Sequence, residues 1–234
     1  MILDEIINEL RFALKGKKIT NSCIGVAFTA SLLSDGSLGI SHTILDGENS
    51  MSGEIMGKEA EEVVEKLTSN PLERSVALSV LNAISVLSTF ERGDPLDVME
   101  GNKLCLFGYS PMVETNKFSS IIIYDFRNPE TQNLGKVIVK PYSSLTSETC
   151  NTAVIFASAL VAGYTESILK RISADHLILS GISSVYAPST LRNYGFEYVS
   201  KVETVDKFRA FRTVCEGGSG RQLAKYIYKI YTKL

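Results

Sequence analysis

The residues with most to offer chemically lie where apolar runs stop. Leu104 to Phe107 is a short unbroken apolar run of the kind that forms a buried strand of a parallel sheet, and Gly108-Tyr109-Ser110-Pro111 follows it. Gly108 permits a tight turn with close backbone approach. Ser110 can turn its hydroxyl beyond the sheet's carboxyl edge, where ligands of open α/β sheets bind. Asp125 ends the next apolar run, about 20 positions on, the spacing at which a carboxylate accepts ribose hydroxyls in a dinucleotide fingerprint. The fingerprint is incomplete: Gly108 stands alone where three glycines are needed, and Pro111 falls where helix-start amides would meet a pyrophosphate. The plainer reading is a strand end with a well-capped turn.

The same pattern recurs downstream. Ser158 follows the run Thr152 to Ala157, and Gly181-Ile182-Ser183-Ser184 follows His176 to Ser180. Small hydroxyl residues just past parallel strands suit a pocket for an anion or a polar small molecule, and they are also ordinary helix caps. Recurrence at three strand ends, Ser110, Ser158 and Ser183, is what points to a shared cleft. His42 and His176 are the two histidines, too few for a His-rich transition-metal site. His42, in the second arm of a hairpin, is the one candidate for carrying a proton near neutral pH, against a structural, hydrogen-bonded role. Asn82 interrupts an otherwise apolar helix, so its amide must find partners, either in packing between domains or on a ligand. Glu48, Glu54, Asp125 and Glu166 could offer carboxylates to a divalent metal without a recognisable ligand spacing. No G-x-S-x-G elbow, P-loop or C-x-x-C pair occurs, which weighs against hydrolase, NTPase and redox chemistry.

The elements that would position these groups read in two regions. Ile2 to about Lys15 has apolar residues at helical spacing with Gly16 as a stop. Cys23 to Leu33 and Leu38 to Leu45 form β-rich arms around Ser34-Asp35-Gly36-Ser37, a strong hairpin signal. A helix over Lys58 to Thr68 follows, then a buried one from Pro71 to about Thr89. The polar stretch from Glu91 to Asn102 marks a boundary. Beyond it strands alternate with helices at Ile121 to Asp125, Lys136 to Val139, Thr152 to Ala157, His176 to Ser180 and Glu197 to Val199, with helices over Thr165 to Ile172 and Ser189 to Tyr194. Such alternation predicts a mostly parallel sheet with right-handed crossovers. Gly217-Gly218-Ser219-Gly220 leads into an expected closing helix, Arg221 to Tyr231.

Across 234 residues, 24 Lys and Arg balance 26 Asp and Glu, for a formal charge of −2 with no block of one sign. This disfavours a nucleic-acid or membrane-surface partner and favours a small molecule. Four widely spaced cysteines, Cys23, Cys105, Cys150 and Cys215, predict reduced, mostly buried thiols. The acidic MILDEIINELRF opening is unlike a secretion signal, and no apolar segment reaches the ~20 residues that span a bilayer, so a cytoplasmic protein is expected.

Several of these segments, in this order, resemble the putative heavy-metal chelation family: Gly39-Ile40-Ser41-His42-Thr43, Gly53 to Glu62, Ala77 to Ala83, Leu106 to Pro111, Ala153 to Glu166 and Leu179 to Ser183. The resemblance implies an α/β protein with an enolase amino-terminal-like α+β domain over 1–100 and a Rossmann-like domain over 101–234. It also implies a site between them, serving metal chelation or the metabolism of chelators. The chain differs from the family pattern at Ala162, where an Asn is usual, and at Gly181-Ile182-Ser183, where Gly-Pro-Ser is usual. The expected function is binding of a small polar metabolite or metal chelate in that cleft, through Asn82, Gly108, Ser110, Asp125, Ser158, Gly181 and Ser183. His42 would serve any catalysis, a divalent metal is a candidate cofactor, and the chain is a candidate homodimer. The alternative is a methyltransferase-like or other nucleotide-cofactor-binding Rossmann enzyme.

Overall fold

Helix α1 (Ile2–Leu14) buries Ile2, Leu3, Ile6, Ile7 and Leu14 along one stripe, as the 3.6-residue period requires. The structure, a computed structural model, describes residues 1–108 and 117–234. After α1 come β1 (Ile19–Ile24), β2 (Phe28–Leu33) and β3 (Leu38–His42), an antiparallel sheet in that order. The expected Asp-Gly hairpin joins β2 to β3, with Asp35 Oδ1 accepting the Ser37 N–H at 2.9 Å. The run from Cys23 to Leu33 is not one strand, however. Gly25 breaks it, because the Val214 carbonyl of the other lobe sits where a Cβ would stand.

Helices α2 (Ala60–Lys66) and α3 (Pro71–Ile84) complete the smaller lobe. Asn70 caps α3 by accepting the Glu73 N–H at 3.0 Å, with Pro71 in the first helical position. Every residue from Ser75 to Ile84 is buried. The helix stops at Ile84, short of Thr89, because its last carbonyls are claimed from outside. The Lys201 ammonium donates to the carbonyls of Asn82 and Ser85 and to the Ser85 hydroxyl. A cation at a helix carboxyl end satisfies orphan carbonyls and the dipole together. Burial presses the pKa of Lys201 down to about 8, against the pull of Glu203.

The larger lobe runs β4 (Glu91–Arg92), β5 (Gly101–Phe107), β6 (Phe118–Asp125), β7 (Gln132–Leu134), β8 (Val137–Pro141), β9 (Glu148–Phe156), α4 (Ser158–Ala162), α5 (Thr165–Leu169), β10 (Ile172–Ser180), α6 (Pro188–Asn193), β11 (Tyr198–Thr204), α7 (Lys207–Cys215), α8 (Gly220–Leu223) and β12 (Ile227–Lys233). These strands form one nine-stranded sheet, ordered β4-β12-β11-β10-β9-β5-β6-β8-β7. The six strands from β11 to β8 are parallel, and β12, β4 and β7 add antiparallel edges. Ranked along the chain, the parallel strands lie in the Rossmann order 3-2-1-4-5-6, with the reversal between β5 and β9.

Two expectations fail in this lobe. The closing helix is absent: α8 lasts one turn, held by a Ser219–Gln222 capping box, and Ile227 to Lys233 pairs with β11 as a strand. Its Ile and Tyr residues suit a pleated surface better than a helix. The cysteines are also paired rather than free, Cys23 with Cys215 and Cys105 with Cys150, at Cα separations of 5.5 and 5.9 Å. Spacing along the chain could not show that β5 and β9 lie side by side, or that α7 folds back on β1. Alkylation of the denatured, unreduced protein should therefore label no thiol, and intact-mass addition at all four cysteines would overturn the pairing.

One apolar cluster unites the lobes, with Ile6, Leu33 and Leu78 packed in continuity with Phe107, Ile155 and Leu179. A second, containing Leu104, Leu106, Ile121, Ile123, Val154 and Ile178, fills the other face of the sheet under Leu96 and Met99. Among the described residues, no helix is long and apolar enough to cross a membrane.

Candidate functional site

The strand order reverses between β5 and β9, and the carboxyl ends of β5, β6, β9 and β10 along that one sheet edge carry Gly108, Asp125, Ser158, Gly181 and Ser183, all singled out in the sequence. Gly108 follows β5 at φ 110° and donates its N–H to the Tyr124 carbonyl at 2.9 Å. A Cβ at Gly108 would stand 3.1 Å from the Phe156 ring. Gly181 follows β10 at φ 115°, and its Cβ would stand 3.8 Å from the same ring. Phe156 therefore lies between the two glycines, and at Gly108 the missing side chain is what makes room for its ring. The Ala157 N–H binds the Ser180 carbonyl at 2.7 Å, and Ser158 opens α4 one residue later. Ala157, not Ser158, occupies the cap position, and the Ser158 hydroxyl has no hydrogen-bond partner among the described residues. Gly108, Ser158 and Gly181 thus converge on one short stretch of β9.

The smaller lobe closes on this edge through β3. The His42 N–H donates to Ser183 Oγ at 2.8 Å, joining the end of β3 to the loop after β10. The His42 ring stands edge-on to Phe28, 5.1 Å between centroids at 76°. His42 is an exposed residue at the end of β3. Desolvation by the protein around it, and secondarily the charge of Arg127, lowers the His42 pKa to about 4. At neutral pH the ring is an uncharged imidazole, able to accept a proton or a hydrogen bond.

Asp125 ends β6 and turns Oδ1 to the Arg127 N–H at 3.0 Å, a local turn that fixes where the arginine departs. Asn82 lies deeper. Its Nδ2 donates to the carbonyls of Ser184 at 2.5 Å and Ile182 at 3.3 Å, and its Oδ1 accepts the Ile40 N–H at 3.4 Å. The amide is spent on backbone from both lobes, behind the cleft rather than in it. Ser110 lies outside the described residues.

Sequence reasoning missed two features of this edge. Arg127 is exposed, and its guanidinium has no hydrogen-bond or ion-pair partner among the described residues. Phe126, Tyr142 and Tyr164 form a ring cluster with centroids 4.4, 5.1 and 5.3 Å apart. Phe126 and Tyr142 stand just past the ends of β6 and β8, which was the usable signal. A separate cavity of about 250 Å³ opens on the far side of Asn82, walled by Leu38, Phe90, Glu203, Lys207 and Tyr228.

Two family models cover nearly all of this architecture. Both carry the description putative heavy-metal chelation: DUF364 matches residues 93–233 and DUF4213 matches residues 7–85. The chain belongs to the DUF364 family. Solved DUF364 structures share the fold. One from Pyrococcus horikoshii has 19% identity and a TM-score of 0.82, covering 100% of both chains. Another from Desulfitobacterium hafniense has 19% identity and a TM-score of 0.77, covering 100% of this chain and 98% of its own. Each is described as a protein of unknown function. No curated protein matches.

The DUF364 description raises the question of a resident metal, and the donor set among the described residues does not fit one. Among the described residues no three His, Cys, Asp or Glu side chains gather for an ion. The four sulfurs are paired with each other, so the thiolates that soft metals prefer are not on offer. Among the described residues, this edge presents one imidazole and one carboxylate beside the Arg127 guanidinium, too few donors for a closed four-ligand shell.

Proposed function

We propose that this DUF364 protein binds a small polar metabolite, or a metal already held by a chelating small molecule, in the cleft between its lobes. The observation that carries the reading is that Gly108 after β5 and Gly181 after β10 both lie against Phe156 at the end of β9, two residues before Ser158, while the His42 N–H bonds Ser183 Oγ beside them. A chelate arrives with its own donors, which suits a cleft that offers few. Ser158 supplies a free hydroxyl, Asp125 a carboxylate and His42 a neutral imidazole. If the cleft is catalytic, His42 is its proton acceptor.

A second reading, a methyltransferase-like or other nucleotide-cofactor enzyme, draws on a specific placement. Asp125 closes the second parallel strand of a 3-2-1-4-5-6 sheet, where a carboxylate binds ribose hydroxyls. Thermal-shift titration separates the two. A ligand at 100 times its dissociation constant adds about 2.7 kcal/mol to stability. A rise with citrate-chelated divalent metals and none with adenosine cofactors supports the first reading, and the reverse supports the second. In either case Asp125→Ala should remove more than half of the ligand-induced shift. An undiminished shift in that variant would place the ligand elsewhere.

A further inference from the structure

The cavity of about 250 Å³ on the far side of Asn82 is lined from both lobes, by β3 and α3 of the smaller and by β11, β12 and the first residue of α7 of the larger. Lys201 and Glu203, two positions apart on β11, share one face of the sheet, and Tyr228 stands opposite Glu203 on β12. The floor is buried. Ile40, Asn82 and Ala83 meet Lys201 there, which is 3% exposed. The rim is open at Val86, Phe90 and Lys207. Apolar Leu38 and Leu87 and the rings of Phe90 and Tyr228 supply much of the remaining wall. The charges are unequal. The Lys201 ammonium ends on neutral acceptors, the Asn82 and Ser85 carbonyls and the Ser85 hydroxyl, and Lys207 Nζ gives one N–H to the Gly36 carbonyl at 2.9 Å. Neither ammonium has an ion-pair partner among the described residues. The Arg92 guanidinium lies over the Tyr228 ring, 4.6 Å from its centroid, and has no ion-pair partner among them either. Glu203 is the one carboxylate in the lining.

We propose that this cavity is a second ligand site, separate from the cleft at the strand ends, and that it takes a small aromatic monocarboxylate. Two ammoniums and a guanidinium against one carboxylate leave the pocket positive, and a buried floor screens that charge less than water would. The ring packs against Phe90 and Tyr228, and the carboxylate meets Lys207, whose ammonium has N–H groups beyond the one given to Gly36. Lys201 adds its charge from the floor. A volume below the roughly 300 Å³ at which ligand sites for larger molecules begin limits the occupant to a single ring. Because the lining comes from both lobes, the bound ligand fastens their joint. The proposal does not depend on what fills the cleft.

Calorimetric titration of the intact chain tests this. Phenylacetate is the probe, phenylacetamide its uncharged counterpart, phenethylamine a cation on the same ring, and acetate the anion without a ring. Phenylacetate should bind about tenfold more tightly than any of the other three. Phe90 and Lys207 are exposed, so both can be replaced without disturbing the core. Lys207→Met should weaken phenylacetate by about tenfold and leave phenylacetamide unchanged, whereas Phe90→Ala should weaken both. Leucine-methyl NMR locates the probe, with the ring protons exchanging magnetisation with Leu38 and Leu87. Equal affinities for phenylacetate and phenylacetamide, or tighter binding of phenethylamine through Glu203, would overturn the proposal. Undiminished phenylacetate binding by both variants, or no binding at millimolar probe, would do the same.

Discussion

Gly39→Ala should lower the midpoint of thermal unfolding by roughly 10 °C, from a loss of about 3–4 kcal/mol spread over a chain of this size. Gly39 lies where β3 crosses the carboxyl half of α3. A Cβ there would fall against the Ser79 carbonyl and the Ala83 amide nitrogen, with the Ala83 Cα at 2.9 Å. These are backbone atoms of a buried helix, so no side chain can rotate away. Either β3 lifts from α3 or the helix moves, and both carry the clash into the lobe joint, since β3 ends in His42 and α3 holds Asn82. Ser37→Ala, at the nearby turn, is the control and should leave the midpoint within about 1 °C. Calorimetry reads both, and a Gly39→Ala protein as stable as the parent would mean that β3 does not approach α3 this closely.

Asn82→Asp changes one heavy atom and should cost roughly 3 kcal/mol at neutral pH. The amide nitrogen now donates to two carbonyls, of Ile182 and Ser184. A carboxylate would point acceptor at acceptor in a buried site and must either take a proton or break the joint. The sign of the pH effect follows. The new carboxyl titrates near 4 when unfolded and higher when folded, so the penalty is smallest below pH 4 and grows as pH rises. The parent behaves oppositely in acid. His42 titrates near 4 when folded against 6.5 as a free side chain, so its contribution is complete above pH 6.5 and lost as pH falls toward 4. Urea melts of both proteins at pH 4.5 and 7 should show their difference shrinking in acid. A constant difference would mean that the amide does not face those carbonyls.

What the sequence disclosed depended on how local the signal was. The stripe of α1, the Asp-Gly turn, Pro71 opening α3 and the apolar runs of β5 and β6 are written in adjacent residues, and each appears in the fold. The strand-end glycines were legible for the same reason. β12 was misread because Arg221 to Tyr231 mixes helix formers with Ile and Tyr, and the choice is made by β11, a partner distant along the chain. α7 was missed because it buries only Ala210 and Val214, too thin a stripe to stand out. The cysteine pairs and the Lys201 cap on α3 exist only in three dimensions. The Phe126 ring and Arg127 carry no local pattern of their own, because they lie one and two residues past the apolar run that ends β6 at Asp125.

The two outer strands of the large sheet are stubs: Glu91–Arg92 at one side and Gln132–Leu134, fully exposed, at the other. Each caps its flank with a few residues, leaving little free backbone to recruit another chain. At these two margins, growth by adding strand to strand, the route toward fibres, would start from an outer strand of only two or three residues.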